Sequence, residues 1–193
     1  MIQRLVGSEM CIRDSDMGMP TEQITIAEVL KDAGYYTAHI GKWHLGITNG
    51  MDPQSQGFVD SLSLAGSSYL SENDPEVVNA KFDTSIDKMV WSTSQYAARF
   101  NGSKPFAPDK YVTDYYTDEA LKVIENNRNQ PFFLYLSHWA IHNPLQALRA
   151  DVEHMHHMSG HNLQVYSGMI RALDRSVGKI IEKLKELEIY GKT

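Results

Sequence analysis

A helix that passes directly into a strand is the pattern that governs this sequence. The helix begins at a capping box, in which the side chains of Thr25 and Glu28 can each accept a hydrogen bond from a backbone amide of the first turn. Its apolar face would consist of Ile26, Val29, Leu30 and Ala33. Gly34 sits where a left-handed residue would end a helix of about nine residues, and the β-forming residues 35–40 then run into Gly41. The pattern predicts one helix–strand unit of an α/β domain.

The same order of elements recurs later in the chain. Residues 117–126 have apolar side chains at helical spacing, and Pro131 precedes the apolar run 132–136. A short apolar run without polar alternation is typical of a strand that is buried on both faces of a sheet. Alternating helices and strands predict an α/β fold with a mixed, mostly parallel sheet flanked by helices.

A long amphipathic helix is predicted near the end of the sequence. Charged residues lie opposite its apolar positions, and Gly191 ends the pattern. Packing on a sheet is the commoner role of such a helix, and binding of a partner is the alternative. The apolar positions follow one another at spacings of three and four: Ile170, Leu173, Val177, Ile180, Leu184 and Leu187.

Composition places the chain among globular proteins of one domain. The sequence has 193 residues, 42% of them hydrophobic, and a formal net charge of −6. That charge argues against a nucleic-acid partner, because binding to phosphates needs clustered cations. No apolar run approaches the roughly 20 residues that span a bilayer. The single cysteine, Cys11, excludes an internal disulfide framework and a cysteine-rich zinc site.

Residues 1–15 differ from the rest of the chain. They fit neither a helical nor an alternating period, and they meet the following segment abruptly. We interpret them as an assembly artefact or a disordered tail and place the folded domain at residues 16–193.

The segment 47–110 has little periodicity and many glycines and prolines, which is typical of an elaborated crossover. Its aromatic residues have two possible roles, a local core or the lining of a carbohydrate cleft, and the core is the commoner one. These residues are Tyr69, Trp91, Tyr96 and Phe100.

Polar groups follow both predicted strands at their carboxyl ends, where open α/β sheets bind ligands. Lys42 and His44 come directly after the first strand, and His142 lies beyond the second. A lysine can offset the charge of a sulfate or phosphate, and a histidine can donate a proton to a developing oxyanion. The alternative is a lysine in water beside a histidine packed for structure.

Two longer stretches carry a family resemblance. Residues 25–46, TIAEVLKDAGYYTAHIGKWHLG, resemble the second signature of the sulfatase family, in which a T-L-A-E-x-L-K-x-A-G-Y helix leads into G-K-W-H-L-G. Residues 131–144, PFFLYLSHWAIHNP, are similar to the family's P-F-F-L-Y-L followed by H-x-P. Shorter similarities lie at residues 57–58, 66–69 and 169–193, so the resemblance covers residues 16–193.

The resemblance implies a partial alkaline-phosphatase-like domain, the N-terminal catalytic domain of a sulfatase. Such enzymes hydrolyse sulfate esters with a formylglycine, made from Cys or Ser, and a divalent metal, Ca²⁺ or Mg²⁺, that holds the sulfate. Lys42 matches the lysine that contacts sulfate and the nucleophile. His44 matches the histidine that hydrogen-bonds the formylglycine hydrate, and His142 matches the histidine facing the leaving-group oxygen.

The same resemblance implies a class of substrate and a setting. Lys42 and His142 would bind a sulfated small molecule or a sulfated carbohydrate. A periplasmic, secreted or lysosomal location is typical of the family.

The chain also departs from the family pattern. The formylglycine motif C/S-x-P-S/A-R is missing, since Cys11 is followed by Ile-Arg-Asp-Ser. The paired aspartates of the family's first strand and the later D-N-G are missing as well, so the resemblance assigns no metal ligand here. We therefore expect an inactive interior fragment of a sulfatase, with exposed sheet edges and poor solubility.

Two alternative functions stay open at this point. A fragment of a phosphonate or phosphate monoester hydrolase would share the lysine and histidine geometry. A non-catalytic protein could instead keep Lys42, His44 and His142 as a pocket for an anion.

A run of histidines offers a separate metal hypothesis. His154, His157 and His161 would share one helical face, and neutral imidazoles suit zinc or nickel. A run of surface histidines is the commoner alternative.

Overall fold

A computed structural model describes residues 18–193, so the prediction for residues 1–15 lies outside the described part of the chain. The strands are β1 (Tyr36–Gly41), β2 (Asp60–Leu64), β3 (Val77–Ala80), β4 (Ala98–Phe100), β5 (Phe132–Ser137) and β6 (Leu145–Leu148). The helices are α1 (Ile26–Asp32), α2 (Ser85–Thr93), α3 (Val112–Asn126), α4 (Arg149–Glu153) and α5 (His161–Glu186), followed by a short 3-10 helix (Tyr190–Lys192).

The main sheet has four strands in the order β4-β2-β1-β5. β1 pairs in parallel with both β2 and β5, whereas β4 runs antiparallel to β2. This confirms the predicted mixed, mostly parallel sheet. In the pairing of β1 with β5, Gly41 lies opposite Ser137, so the two strands end level with each other.

A second, smaller sheet pairs β3 with β6 in antiparallel register. The segment 47–110, predicted as a crossover, contributes β2 and β4 to the main sheet, β3 to the small sheet, and the helix α2. These strands have only three to five residues each, which is too short for an alternating pattern to stand out.

The hydrophobic core lies between the main sheet and the long helices. Ile40 of β1 and Leu62 of β2 belong to the same buried cluster as Tyr116 of α3 and Met169 of α5. Helix α3 begins at Val112 rather than at the predicted Thr117. Val112 and Thr113 of its first turn are buried, so tertiary packing extends the helix beyond its periodic part.

Helix α1 forms where the capping box predicts it. The amide of Glu28 donates to Thr25 Oγ1 at 3.1 Å, and the amide of Thr25 donates to Glu28 Oε2 at 2.7 Å. The predicted apolar face is wrong, however, since Ile26 and Val29 are 64% and 55% exposed and Ala27 is buried instead. The backbone at Gly57 packs against residues 27 and 28 of the helix, where only small groups fit.

Helix α5 differs from its prediction in a similar way. It starts at His161, and Ile170 and Val177 of the predicted apolar face are 43% and 49% exposed. Small residues allow the other face to pack closely, since a β-carbon at Gly168 would lie only 3.1 Å from the side chains of Ala147 and Val152. The residues buried along α5 are Val165, Gly168, Met169, Ala172, Ser176 and Leu184.

Strand β5 is half-buried rather than buried on both faces, and Tyr135 is exposed. Among the described strands, β5 pairs with β1 alone and so forms an edge of the sheet. Within residues 18–193, no helix is long and apolar enough to cross a membrane.

The burial along α5 predicts different costs for two adjacent truncations. Met169→Ala should lower the free energy of unfolding by about 2–5 kcal/mol, because Met169 is fully buried. Ile170→Ala should cost less, about 1 kcal/mol, because Ile170 is 43% exposed. Urea unfolding of the two variants measures the difference, and equal costs would contradict the observed orientation of the helix.

Candidate functional site

The candidate site begins at the turn that ends β1. Gly41 has a φ of 116°, and a β-carbon there would lie 1.9 Å from the carbonyl oxygen of Ser137. Only glycine permits this approach, in which the amide of Lys42 donates to the Ser137 carbonyl at 2.7 Å. The turn therefore fixes the backbone of Lys42 against the end of β5.

The next two residues, Trp43 and His44, have different surroundings. Trp43 points into the protein, where its indole N–H donates to the carbonyl oxygens of Gly46 and Met51, each at 2.9 Å. His44 is exposed one residue further on. The loop thus presents Lys42 and His44 at the carboxyl end of β1 while Trp43 anchors it.

The loop after β5 is held by one buried tyrosine. The hydroxyl of Tyr69 lies 3.0 Å from the carbonyl oxygen of Trp139 and 2.8 Å from that of His142, and it donates to both. The indole N–H of Trp139 donates to the Ser67 carbonyl at 2.9 Å. Residues 67–69 therefore fasten the loop that carries His142.

We call the hydrogen bonds of residues 67–69 to the loop after β5 the clamp. Strand β6 supports the clamp in turn. The side-chain oxygen of Gln146 accepts hydrogen bonds from the amides of Tyr69 and Leu70, at 3.0 and 2.7 Å. The Tyr111 hydroxyl donates to the Gln146 carbonyl at 2.8 Å, and its ring stacks on Tyr69. All of these groups are buried, so the position of the clamp is tightly determined.

The two loops meet at the indole of Trp139. The Lys42 ammonium lies 5.2 Å from the centroid of the indole, within the range of a cation–π contact. The imidazole of His142 stacks on the indole with 3.9 Å between ring centroids and 26° between planes. The structure therefore brings Lys42 and His142 to one aromatic ring, and His44 is exposed at the same end of β1.

A second histidine lies beneath the turn of Lys42. His39 is fully buried, with Nδ1 3.2 Å from Ser61 Oγ and Nε2 3.2 Å from Ser137 Oγ. Burial lowers the pKa of His39 to about 4, although the nearby carbonyl of Lys42 opposes the shift. The Ser137 hydroxyl donates to the Lys42 carbonyl at 2.7 Å. The neutral imidazole of His39 therefore supports the turn through Ser137.

His138 comes directly after Ser137, the last residue of β5. Its Nε2 lies 2.8 Å from Ser176 Oγ on α5, which also binds the Thr117 hydroxyl of α3 at 2.7 Å. Burial lowers the pKa of His138 to about 4, against the attraction of Asp114. The neutral imidazole thus joins the strand end to the two helices that cover it.

The predicted histidine cluster does not form on one helix. His154 caps the end of α4, His161 begins α5, and His157 lies in the turn between them, where Gly160 has a φ of 95°. All three side chains are exposed, as the alternative of a surface run predicts. Within the described residues, no three His, Cys, Asp or Glu side chains come together to hold a metal ion.

The aromatic residues of segment 47–110 divide between core and surface. Tyr69 and Trp91 are buried, which confirms the core role for these two residues. Tyr96 is half-buried and Phe100 is exposed.

Sequence reasoning missed the residues that hold the site together, above all Trp139, Gln146 and His39. Tyr69 was visible only as an aromatic residue and as part of a short similarity. A usable signal existed for Trp139, because a large aromatic residue directly after a strand and before a histidine can pack against both.

The chain is similar to known proteins in its sequence and in its fold. The family model described as Sulfatase matches residues 9–193. The chain is 31% identical over 183 residues to an arylsulfatase of Hemicentrotus pulcherrimus, covering 91% of this chain and 31% of that protein. It is 30% identical over 182 residues to N-acetylgalactosamine-6-sulfatase of Mus musculus, covering 91% and 32%.

A solved structure shares the architecture. The crystal structure of Ps i-CgsB in complex with k-i-k-neocarrahexaose superposes with a TM-score of 0.75 at 30% identity, covering 92% of this chain and 40% of that one. That fold is the alkaline-phosphatase-like fold of the sulfatases. The chain spans about a third of the length of the curated relatives that it matches.

The buried histidines predict a specific dependence of stability on pH. In the unfolded chain each takes up a proton near its ordinary pKa of 6.5, whereas in the folded protein it does so only near pH 4. Acid therefore favours the unfolded state, and each histidine should remove about 2 kcal/mol of stability between about pH 7 and pH 5. Urea unfolding at the two pH values measures the loss.

His39→Gln isolates the contribution of one ring. The variant should lose about 2 kcal/mol less than the wild type over the same interval of pH, because only His138 then titrates in this way. The exposed His154→Gln is the matched control and should keep the wild-type dependence. An unchanged dependence in His39→Gln would show that His39 is not held neutral.

The clamp predicts a selective effect of one hydroxyl. Tyr69→Phe removes the hydroxyl that the carbonyls of Trp139 and His142 share as a donor, and it should cost about 1–3 kcal/mol of stability. It should also speed hydrogen exchange at the His142 amide, which donates to Trp139 at 3.0 Å. Tyr116→Phe is the control, since its buried hydroxyl has no hydrogen-bond partner in the described structure. Equal effects of the two substitutions on exchange would contradict the clamp.

Proposed function

The chain belongs to the sulfatase family, and from that premise we propose that the complete protein hydrolyses sulfate esters. The observation that carries the proposal is the meeting of Lys42 and His142 on Trp139, at the carboxyl ends of two parallel strands. A fixed cation and a titratable ring at such an edge suit a tetrahedral anion whose ester oxygen must leave.

We assign each side chain one task. The Lys42 ammonium attracts the sulfate group and offsets the negative charge that its oxygens carry through the reaction. His142, which is exposed, donates a proton to the ester oxygen as the bond between sulfur and oxygen breaks. His44, two residues after Lys42, orients the attacking group by a hydrogen bond.

The nucleophile and the metal are assigned to other parts of the complete protein. A formylglycine would attack sulfur and a calcium or magnesium ion would hold the sulfate, in keeping with the family. The described residues do not fit such an ion, because no three acidic, histidine or cysteine side chains come together. Residues 1–193 by themselves are therefore proposed to bind the anion without turning over an ester.

A sulfated carbohydrate or sulfated small molecule is the proposed class of substrate. The names of two relatives support this proposal, since one is an arylsulfatase and the other an N-acetylgalactosamine-6-sulfatase. The similar structure of Ps i-CgsB was solved with the oligosaccharide k-i-k-neocarrahexaose.

Binding of inorganic sulfate to the 193-residue chain tests the proposal. Isothermal titration should show saturable one-to-one binding, and Lys42→Met and His142→Ala should each weaken it about tenfold, since each removes one charge-assisted contact. Lys81→Met is the matched control, because Lys81 also lies over a tryptophan, with 4.9 Å between its ammonium and the Trp91 ring.

The outcomes separate the proposal from its alternatives. Equal loss of binding in Lys81→Met, or no saturable binding at all, would contradict an anion site at Lys42. Much tighter binding of inorganic phosphate than of sulfate would favour a phosphate or phosphonate ester hydrolase. Turnover of an aryl sulfate by the 193-residue chain would contradict the assignment of the nucleophile to another part of the protein.

A further inference from the structure

We infer that Trp139 is a positioning residue of this site: it holds the Lys42 ammonium and the His142 ring in their working arrangement. The inference rests on the proposed function, which supplies the roles of those two residues. It adds a third residue, which touches both of them.

The indole of Trp139 is itself firmly held. Its side chain is 8% exposed, its N–H donates to the Ser67 carbonyl at 2.9 Å, and its own carbonyl oxygen accepts a hydrogen bond from the Tyr69 hydroxyl at 3.0 Å. The burial of the ring and the hydrogen bond of its N–H both restrict the rotation of the indole. The ring can therefore support the side chains that contact it.

Two side chains from loops after different strands meet on this support. Lys42 follows β1 and His142 follows β5, and their contacts with the ring are the cation–π approach of 5.2 Å and the stack of 3.9 Å. The face of an indole is electron-rich, so it attracts an ammonium group and stacks with an imidazole. The ring thus restricts a lysine with four rotatable bonds and an exposed histidine before any ligand arrives.

The burial of Trp139 decides between two roles for an aromatic residue in such a site. A platform for a sugar ring needs an exposed aromatic face, and Trp139 has almost none. The exposed group is His142, which stacks on it. Trp139 therefore acts through its neighbours rather than by contact with the substrate.

The molecule provides a matched control for this role. Trp91 of α2 is 7% exposed and also has a lysine over its ring, but its indole N–H has no hydrogen-bond partner in the described structure. Truncation of Trp91 reproduces the loss of a buried indole and of a cation–π pair without touching Lys42 or His142. Any effect specific to Trp139 then reflects the site.

The test uses the 193-residue chain with two readouts, side-chain NMR and titration with inorganic sulfate. In the wild type, the ring protons of His142 and the methylene protons next to the Lys42 ammonium should be shifted upfield by the indole. Trp139→Leu should abolish both shifts and weaken sulfate binding about tenfold, because binding must then order the side chains of Lys42 and His142. Trp139→Phe should restore most of the affinity, and Trp91→Leu should change neither readout.

Substitutions of the neighbours keep the inference testable if Trp139→Leu does not fold. Lys42→Met and His142→Ala should each move the indole N–H resonance of Trp139, whereas Lys81→Met should leave it in place. A Trp139 resonance that ignores both site substitutions, or full sulfate affinity in folded Trp139→Leu, would overturn the inference. Failure of the wild type to bind sulfate would instead contradict the proposed function, while the resonances still report whether the three side chains touch.

Discussion

The parallel pairing of β1 with β5 is the interaction on which the rest of this structure depends. At Gly41 the backbone approaches Ser137 so tightly that a β-carbon has no room. Because the two strands end level with each other, the loops that follow them leave the sheet side by side. The side chains at the site are therefore placed by backbone geometry first, and side-chain packing refines their positions.

Two histidines near this contact, His39 and His138, are neutral. His39 lies within β1, and its imidazole contacts the hydroxyls of Ser61 and Ser137. His138 follows β5, and its imidazole contacts the hydroxyl of Ser176. Burial lowers the pKa of both imidazoles, so both rings are uncharged at neutral pH. The exposed end of the sheet is left for the groups that handle an anion.

Short sequence patterns predicted which helices and strands form better than they predicted which face of each helix is buried. The capping box at Thr25 and the apolar run of β5 act through neighbouring residues, and both marked real elements. Which face of α1 and α5 is buried depends on distant partners such as Gly57 and Ala147, so periodicity alone favoured the larger apolar residues. For the site, the resemblance supplied Lys42, His44 and His142, but Trp139 acquires its role only when two strands far apart in sequence come together.

That separation also governs when the site can exist during synthesis. Lys42 and Ser137 are 95 residues apart in the chain, and at 5–20 residues per second a ribosome needs about 5–20 s to make that length. Throughout this interval β1 has been synthesised but β5 has not, so one edge of β1 lacks its hydrogen-bonding partner. The nascent chain therefore passes through a stage that a chaperone could shield, and the turn at Gly41 is among the last parts of the sheet to be locked.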